Sequence, residues 1–328
     1  MDVSFGNAPN IFEVIYVWAM QLLSILWFFG RFAAMQSASG EGWGYGKQDG
    51  PHSWPGTCQN HLRQSPINIR ANDIDYTPLH RLHFINYDYD STVEVQNTGK
   101  TLIVKGFDKW MLKQPMIQGG GLKHRYKLAQ FHLHWGQNDD VGSEHSLGSL
   151  HYPGEIHLVH IREGLSVQEA LTRPDGIAVV GVFLAKTSDP IANKFSPISD
   201  TFPFVKYSGN KTEIREFRPS RVLPYDTEAF YRYEGSLTTP DCSEAVIWTI
   251  LAEPLPISNQ QVIYLLHQLR QLHDSNNLIS EKNYRPLQPL NGRRISYRPA
   301  KLDRSLVCSF SISTNVILAI FTAMIMTL

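Results

Sequence analysis

The sequence predicts a single domain of mainly β structure, α+β by some schemes, and three observations carry that prediction. Short runs rich in β-branched and aromatic residues recur along the chain, separated by clusters of Gly, Pro, Asn and Asp, the punctuation of a sheet. The clearest helical periodicity is confined to one stretch near the C-terminal third. A length of 328 residues with 42% hydrophobic content suffices for one substantial core, and a β-rich unit of about 250 residues is an ordinary single domain.

In chain order, Trp43-Gly44-Tyr45-Gly46 and Trp54-Pro55-Gly56 alternate aromatics with turn formers, which predicts an irregular segment lying over a core. Gln64-Ser65-Pro66-Ile67-Asn68-Ile69 then leads into strands, expected at Thr92–Gln96, Thr101–Val104, Gln130–Trp135, Ile156–Ile161, Ile177–Leu184 and Ala245–Leu251. The helix is expected from Ser258 to about His273. Ser258 with Gln261 forms a capping-box signature, and Val262, Leu265, Leu266, Leu269 and Leu272 mark one apolar face that belongs in a core. No internal repeat or low-complexity tract is visible.

Thirty basic and thirty acidic residues balance, so nothing argues for a polyanionic partner such as nucleic acid. The three cysteines, Cys58, Cys242 and Cys308, form no Cys-x-x-Cys pair, which argues against a thiolate metal site or a thioredoxin-type motif.

Chemistry concentrates in residues 130–160. In an extended Gln130-Phe131-His132-Leu133-His134-Trp135 segment, the period of two puts His132, His134 and Gln130 on one face. In Glu155-Ile156-His157-Leu158-Val159-His160 the same period groups Glu155, His157 and Val159, so a neighbouring strand can bring a third imidazole beside the first two. Three neutral imidazoles with one open position make a catalytic zinc site. Gln130 and Glu155, each two residues before a histidine on its face, are placed to orient His132 and His157. A lone histidine is more often a satisfied core or surface group; two histidine-bearing strands, each with a polar residue at the same offset, favour the metal.

Together the run Gln130–Gly136, Gly142-Ser143-Glu144-His145, the segment Glu155–His160 and Gly235-Ser236-Leu237-Thr238-Thr239-Pro240 resemble an α-class carbonic anhydrase over roughly Trp43 to Tyr297. The resemblance implies one domain on a large, twisted, mainly antiparallel sheet with short peripheral helices. It implies Zn2+ on His132, His134 and His157, and reversible hydration of carbon dioxide to bicarbonate and a proton by attack of the hydroxide the ion generates. CO2 and bicarbonate are then the substrates and sulfonamides the expected inhibitors. Thr238 and Glu144 match the family pair in which the threonine hydroxyl gives its proton to a buried carboxylate and so orients the nucleophile. His145 matches a position supporting Glu144. Val159, Val179, Leu237, Val246 and Trp248 match the apolar side of the cavity, and Thr239 and Gln130 border the substrate. Cys58 and Cys242 match a disulfide of the exported members; two buried thiols are the competing reading.

Asn97-Thr98-Gly99-Lys100 departs from the family, with Lys100 where efficient members carry a proton-relaying histidine. An ordinary lysine, titrating near about 10.4, is a poor relay at neutral pH. Proton export is therefore expected to limit turnover unless a nearby ion lowers the lysine's pKa, or Tyr45 and water suffice. His61, His80, His83 and His124 are further candidates for the rim. Two other functions compete: a catalytically silent adhesion or binding module on the same fold, and a zinc esterase, whose ester cleavage is expected here only as a side activity.

Both ends read as addresses. Val14 to Gly30 is an uncharged apolar run followed by Arg31 and the small polar stretch Gln36–Gly40, which predicts a signal peptide over residues 1–39. The leader carries Asp2 and Glu13 and no basic residue before the run; initiation at Met20, which would make residues 1–19 an upstream extension, is an alternative start, and an uncleaved anchor helix is the competitor. Residues 40–300 form the catalytic domain. No charge follows Arg304, and Ser309–Asn315 precedes the apolar tail Val316–Leu328, which reads residues 301–328 as a GPI-attachment signal with Ser305, Cys308 or Ser309 as attachment site. A single-pass helix or a secreted form are the alternatives. With Asn210-Lys211-Thr212 as a glycosylation sequon on a surface turn, the chain resembles the extracellular, lipid-anchored members of the type IV and XV kind.

Overall fold

A computed structural model of the chain describes residues 42–59, 61–189 and 195–300. The predicted leader, the tail and its attachment candidates Ser305, Cys308 and Ser309 lie outside the described residues. The first strands are β1 (Asn68–Ile69), β2 (Ile74–Tyr76), β3 (Leu82–Ile85), β4 (Ser91–Asn97) and β5 (Leu102–Lys105). Then come β6 (Met116–Gly119), β7 (Leu122–Trp135), β8 (Ser146–Leu147), β9 (Gly154–Arg162) and β10 (Ile177–Thr187). The last are β11 (Lys211–Phe217), β12 (Phe230–Gly235), β13 (Val246–Leu251), β14 (Leu255–Ser258) and β15 (Ile295–Arg298). Thirteen of these form one sheet with the order β11-β4-β5-β7-β9-β10-β13-β12-β15-β2, with β3, β6 and β14 on its flanks.

Most neighbours are antiparallel, as expected, but β10 pairs β13 and β14 in parallel and β15 pairs β2 in parallel. The three α-helices among the described residues are short: α1 (Val167–Leu171), α2 (Ser196–Ser199) and α3 (Asn259–Arg270). Ser258 caps α3, its Oγ accepting the Gln261 N–H at 3.2 Å, and the helix ends three residues before the expected His273.

Each predicted strand is present, and β7 begins eight residues earlier than the apolar run, at Leu122. Its first half alternates outward Lys123, Arg125 and Lys127 with inward residues, a half-solvated pattern less conspicuous than a hydrophobic run. The centre is different: β9 is buried along Gly154–Ile161 and β10 along Ile177–Leu184, because both faces are covered. One face, carrying Phe131, Leu133, Ile156, Leu158, Val180 and Val182, packs on the apolar stripe of α3. The other carries Val159, Val179, Trp248 and Ile250, and it is beside this second core that the histidines lie.

Candidate metal centre

Strands β7 and β9 pair with His132 directly opposite His157 and His134 opposite Glu155. That register brings the three imidazoles to ring-centroid separations of 5.0 Å (His132 and His134), 5.3 Å (His132 and His157) and 4.5 Å (His134 and His157). One ring nitrogen from each lies within 4.8 Å of the other two.

The scaffold engages the remaining nitrogen of each ring. His132 Nδ1 donates to Gln130 Oε1 at 2.9 Å, His134 Nδ1 to the Asn283 carbonyl at 2.8 Å, and His157 Nε2 to Glu155 Oε1 at 2.9 Å. Carbonyl and carboxylate oxygens only accept, so the proton sits on those nitrogens and His132 Nε2, His134 Nε2 and His157 Nδ1 keep free lone pairs. Burial pushes the His132 pKa well below the usual range and that of His134 down to about 3, with the neighbouring rings adding to the effect. Neutral imidazoles are the form that ligates a metal.

His134 Nε2 is buried with no hydrogen-bond partner among the described residues. An orphaned buried acceptor flanked by two more free lone pairs fits a divalent cation that favours nitrogen, and three protein ligands suit zinc with one open position.

Glu155 stands at the hub behind the rings. Its Oε1 takes both His157 Nε2 and His145 Nδ1, and its Oε2 accepts the His145 backbone N–H at 2.8 Å. Burial pushes this carboxyl up, but the His145 and His157 rings more than offset that and hold it well below the usual carboxylate range. Gly181, opposite His157 on β10, makes room: a Cβ there would lie 2.6 Å from Ile250 Cδ1 and 3.0 Å from Glu155 Oε1. Against expectation, His145 does not support Glu144. The His145 ring is occupied at both ends, by Glu155 and by the Tyr233 hydroxyl at 2.6 Å, so it braces Glu155 instead.

Glu144, fully buried, takes the Arg285 backbone N–H on Oε1 at 2.8 Å, while Oε2 faces His134 Nε2 at 3.5 Å and His157 Nδ1 at 3.8 Å. Burial pushes its carboxyl up to about 7, opposed by His157, the Thr238 hydroxyl and the Arg285 N–H. Thr238 and Thr239 sit on an irregular loop. Trp248 Nε1 donates to the Ser236 carbonyl at 3.0 Å, the Cys242 N–H donates to the Thr239 carbonyl at 2.7 Å, and the disulfide Cys58–Cys242 ties the loop to the aromatic N-terminal segment. Within that segment Trp43, Tyr45 and Trp54 meet edge to face.

A cavity of about 870 Å³, its open mouth included, reaches the three histidines. Val159, Val179, Leu237 and Trp248 line it together with Gln130, Thr238 and Thr239, and Lys100 and Tyr45 stand in its wall. The Lys100 Nζ lies 5.3 Å from the Trp43 ring centroid, a cation–π contact. Burial pushes the Tyr45 phenol well above its usual value, and the Glu144 charge adds to this. Val246 does not line the cavity and is buried in the second core, while Trp248, two residues on along β13, takes the wall position. Ile103, Ile161, Val167 and Ile177 add to the apolar wall and were not anticipated.

None of His61, His80, His83 or His124 lines the cavity. His124 pairs with Asp175 at 3.2 Å, ten residues back along β7, about 30 Å from His134 at about 3.3 Å per residue. Asn210 is exposed where the chain turns into β11. Sequence reading missed Asn283 and Arg285. Both lie in the irregular stretch after α3, and their only signal was a polar residue and a charged one in a segment without periodicity.

Residues 49–299 match the family described as eukaryotic-type carbonic anhydrase. A Caenorhabditis elegans protein named "Putative carbonic anhydrase 5" is 68% identical over 290 residues, covering 88% of this chain and 92% of its own. Human carbonic anhydrase 7 is 38% identical over 258 residues, 77% of this chain and 95% of its own, and human carbonic anhydrase 3 is 35% identical over 254 residues, 76% and 96%.

Proposed function

The chain belongs to the eukaryotic-type carbonic anhydrases, enzymes that interconvert carbon dioxide and bicarbonate, and from that premise we propose that it does so with zinc on His132, His134 and His157, outside the cell. The observation that carries the proposal is the convergence of three half-satisfied imidazoles, with His134 Nε2 buried and unpartnered. When bound there, zinc lowers the pKa of a coordinated water to about 7 and so supplies a nucleophile at neutral pH.

The chain's own residues do the rest. Glu144 Oε2, the open acceptor, is placed to accept a hydrogen bond from the Thr238 hydroxyl, which would leave the Thr238 oxygen only lone pairs to turn toward the reacting oxygen. Attack is thereby held to one direction, and orientation of this kind contributes without any new bond. Val159, Val179, Leu237 and Trp248 offer carbon dioxide an apolar wall that asks for no hydrogen bonds, and water is kept to the polar side with Thr239 and Gln130. Lys100, held against Trp43 in the cavity wall, leaves proton export as the slow step.

Export rests on the Cys58–Cys242 disulfide, which needs an oxidising compartment, on the exposed sequon at Asn210, and on the leader and tail read in the sequence. Residues 1–39 would be removed and residues 301–328 replaced by a GPI anchor, as in the type IV and XV kind. A silent adhesion module is the competing reading; loss of a metal histidine, Thr238 or Glu144 would favour it, and all five are present. Zinc content with a carbon dioxide hydration assay, repeated with a sulfonamide, tests the activity: a metal-free, inert protein would sink it. Release of activity from cells by a phosphatidylinositol-specific phospholipase tests the anchor, and retention on the membrane would favour a spanning helix.

A further inference from the structure

Where β12, β13 and β15 lie side by side, a second cavity gathers five cationic side chains, Arg63, Lys123, Arg232, Arg293 and Arg294. Only two carboxylates line it, Asp175 and Glu234. Both are engaged: Asp175 with Arg162 at 3.0 Å and His124 at 3.2 Å, and Glu234 with Arg63 at 3.1 Å. Arg294 is paired with Asp75. Three positive charges remain without a carboxylate within ion-pair distance among the described residues: Arg293, Lys123 and Arg232.

They differ in how they are held. Arg293 gives its N–H groups to backbone carbonyls, Nη2 to Gln64 at 2.7 Å and Nη1 to Glu234 at 3.1 Å, which fixes the charge without neutralising it. Lys123 is exposed on β7. Arg232 is the unusual one. Its Nε donates to Thr249 Oγ1 at 3.1 Å and its guanidinium carbon lies 5.4 Å from the Phe230 ring centroid, yet among the described residues no group accepts from either terminal nitrogen, and Nη2 is buried. Arg232 is only partly buried, and its Nη1, not closed off as Nη2 is, is the fork nitrogen left to meet an oxyanion in the cavity.

We propose that this cavity binds a phosphate-class oxyanion, anchored by the Arg232 guanidinium and held by the field of Arg293 and Lys123. The planar guanidinium fork matches phosphate oxygens, and three uncompensated charges suit an anion of about −1.5 to −2 better than a singly charged carboxylate. The anion comes either as free phosphate or on a lipid headgroup.

The test uses the zinc-loaded enzyme saturated with a sulfonamide, so that anions have no access to the histidine site. Inorganic phosphate is titrated calorimetrically at constant ionic strength, with chloride as the balancing salt. Saturable one-site binding is expected, weakened at least tenfold in Arg232→Met and several-fold in Lys123→Glu. The first variant exchanges a partly buried charge without a carboxylate partner for an apolar group and is expected to fold; the second, a surface reversal, keeps the test open if it does not. Phosphatidylcholine vesicles with and without a phosphatidylinositol phosphate separate the sources: capture by the phosphorylated vesicles alone assigns the headgroup, and phosphate binding without capture assigns the free ion. No saturable phosphate binding, or variants that bind like the wild type, overturns the proposal.

Discussion

Two histidines three residues apart on β9, His157 and His160, are both buried, yet they face opposite sides of the sheet and end in opposite states. His160 donates from Nδ1 to the Ala178 carbonyl at 3.1 Å and accepts the Tyr87 hydroxyl on Nε2 at 2.5 Å. One donor and one acceptor are thus both filled, and nothing is left for a ligand. His157 gives its Nε2 proton to Glu155 and keeps Nδ1 free beside two other free lone pairs. A functional imidazole in this molecule is one that its surroundings satisfy by half.

The largest contrast comes from removing each. His157→Ala is expected to drop zinc content from near one per chain to below about a tenth and carbon dioxide hydration by more than about 10³-fold, whereas His160→Phe keeps both within about twofold. Metal analysis with stopped-flow hydration reads this; zinc retained in the first variant would break the comparison. Thr238→Ala should lower kcat by about 10²-fold with zinc intact, separating orientation from metal binding; an equal loss of zinc would contradict that role. Gln130→Ala, which removes the partner of His132 and no ligand, should weaken zinc affinity by about 10- to 100-fold in chelator competition.

Acid stability probes the other face. Burial depresses the His160 pKa to about 3, so its contribution is fully present above about 6.5, the unfolded value, and is lost as pH falls toward 3. His160→Gln should therefore flatten the fall in unfolding free energy, read from urea titrations between pH 6.5 and 5, by up to about 1.4 kcal/mol per pH unit, and an unaltered slope would mean that His160 is not kept neutral. The smallest effect belongs to Lys100→His, expected to raise turnover a few-fold in dilute buffer and little in concentrated buffer. An unchanged rate would show that proton export does not limit.

The strand-borne half of the site was legible from periodicity, because a period of two on paired strands fixes which side chains share a face. His132, His134, His157, Gln130 and Glu155 all follow from that rule. The loop-borne half was not. Thr238 and Glu144 were reached only through resemblance to known motifs, since neither sits on a regular element at a countable offset. Asn283 and Arg285 were missed because they act partly through backbone groups, a carbonyl and an N–H that every residue carries and no side-chain pattern reports. Val246 and His145 show the limit of carrying a role by position: Val246 shares a strand face with the wall residue Trp248 yet is buried in the core, and one better acceptor redirects a ring.

The dependence of His134 and Glu144 on residues 283 and 285 has a consequence for synthesis. A nascent chain presents all three imidazoles once residue 157 has left the ribosome, but the carbonyl that aims His134 and the amide that steadies Glu144 are translated more than a hundred residues later. Pairings across such long sequence separations form slowly and late. An ion captured during translation would meet rings whose directions are not yet set, so correct loading awaits completion of nearly the whole domain.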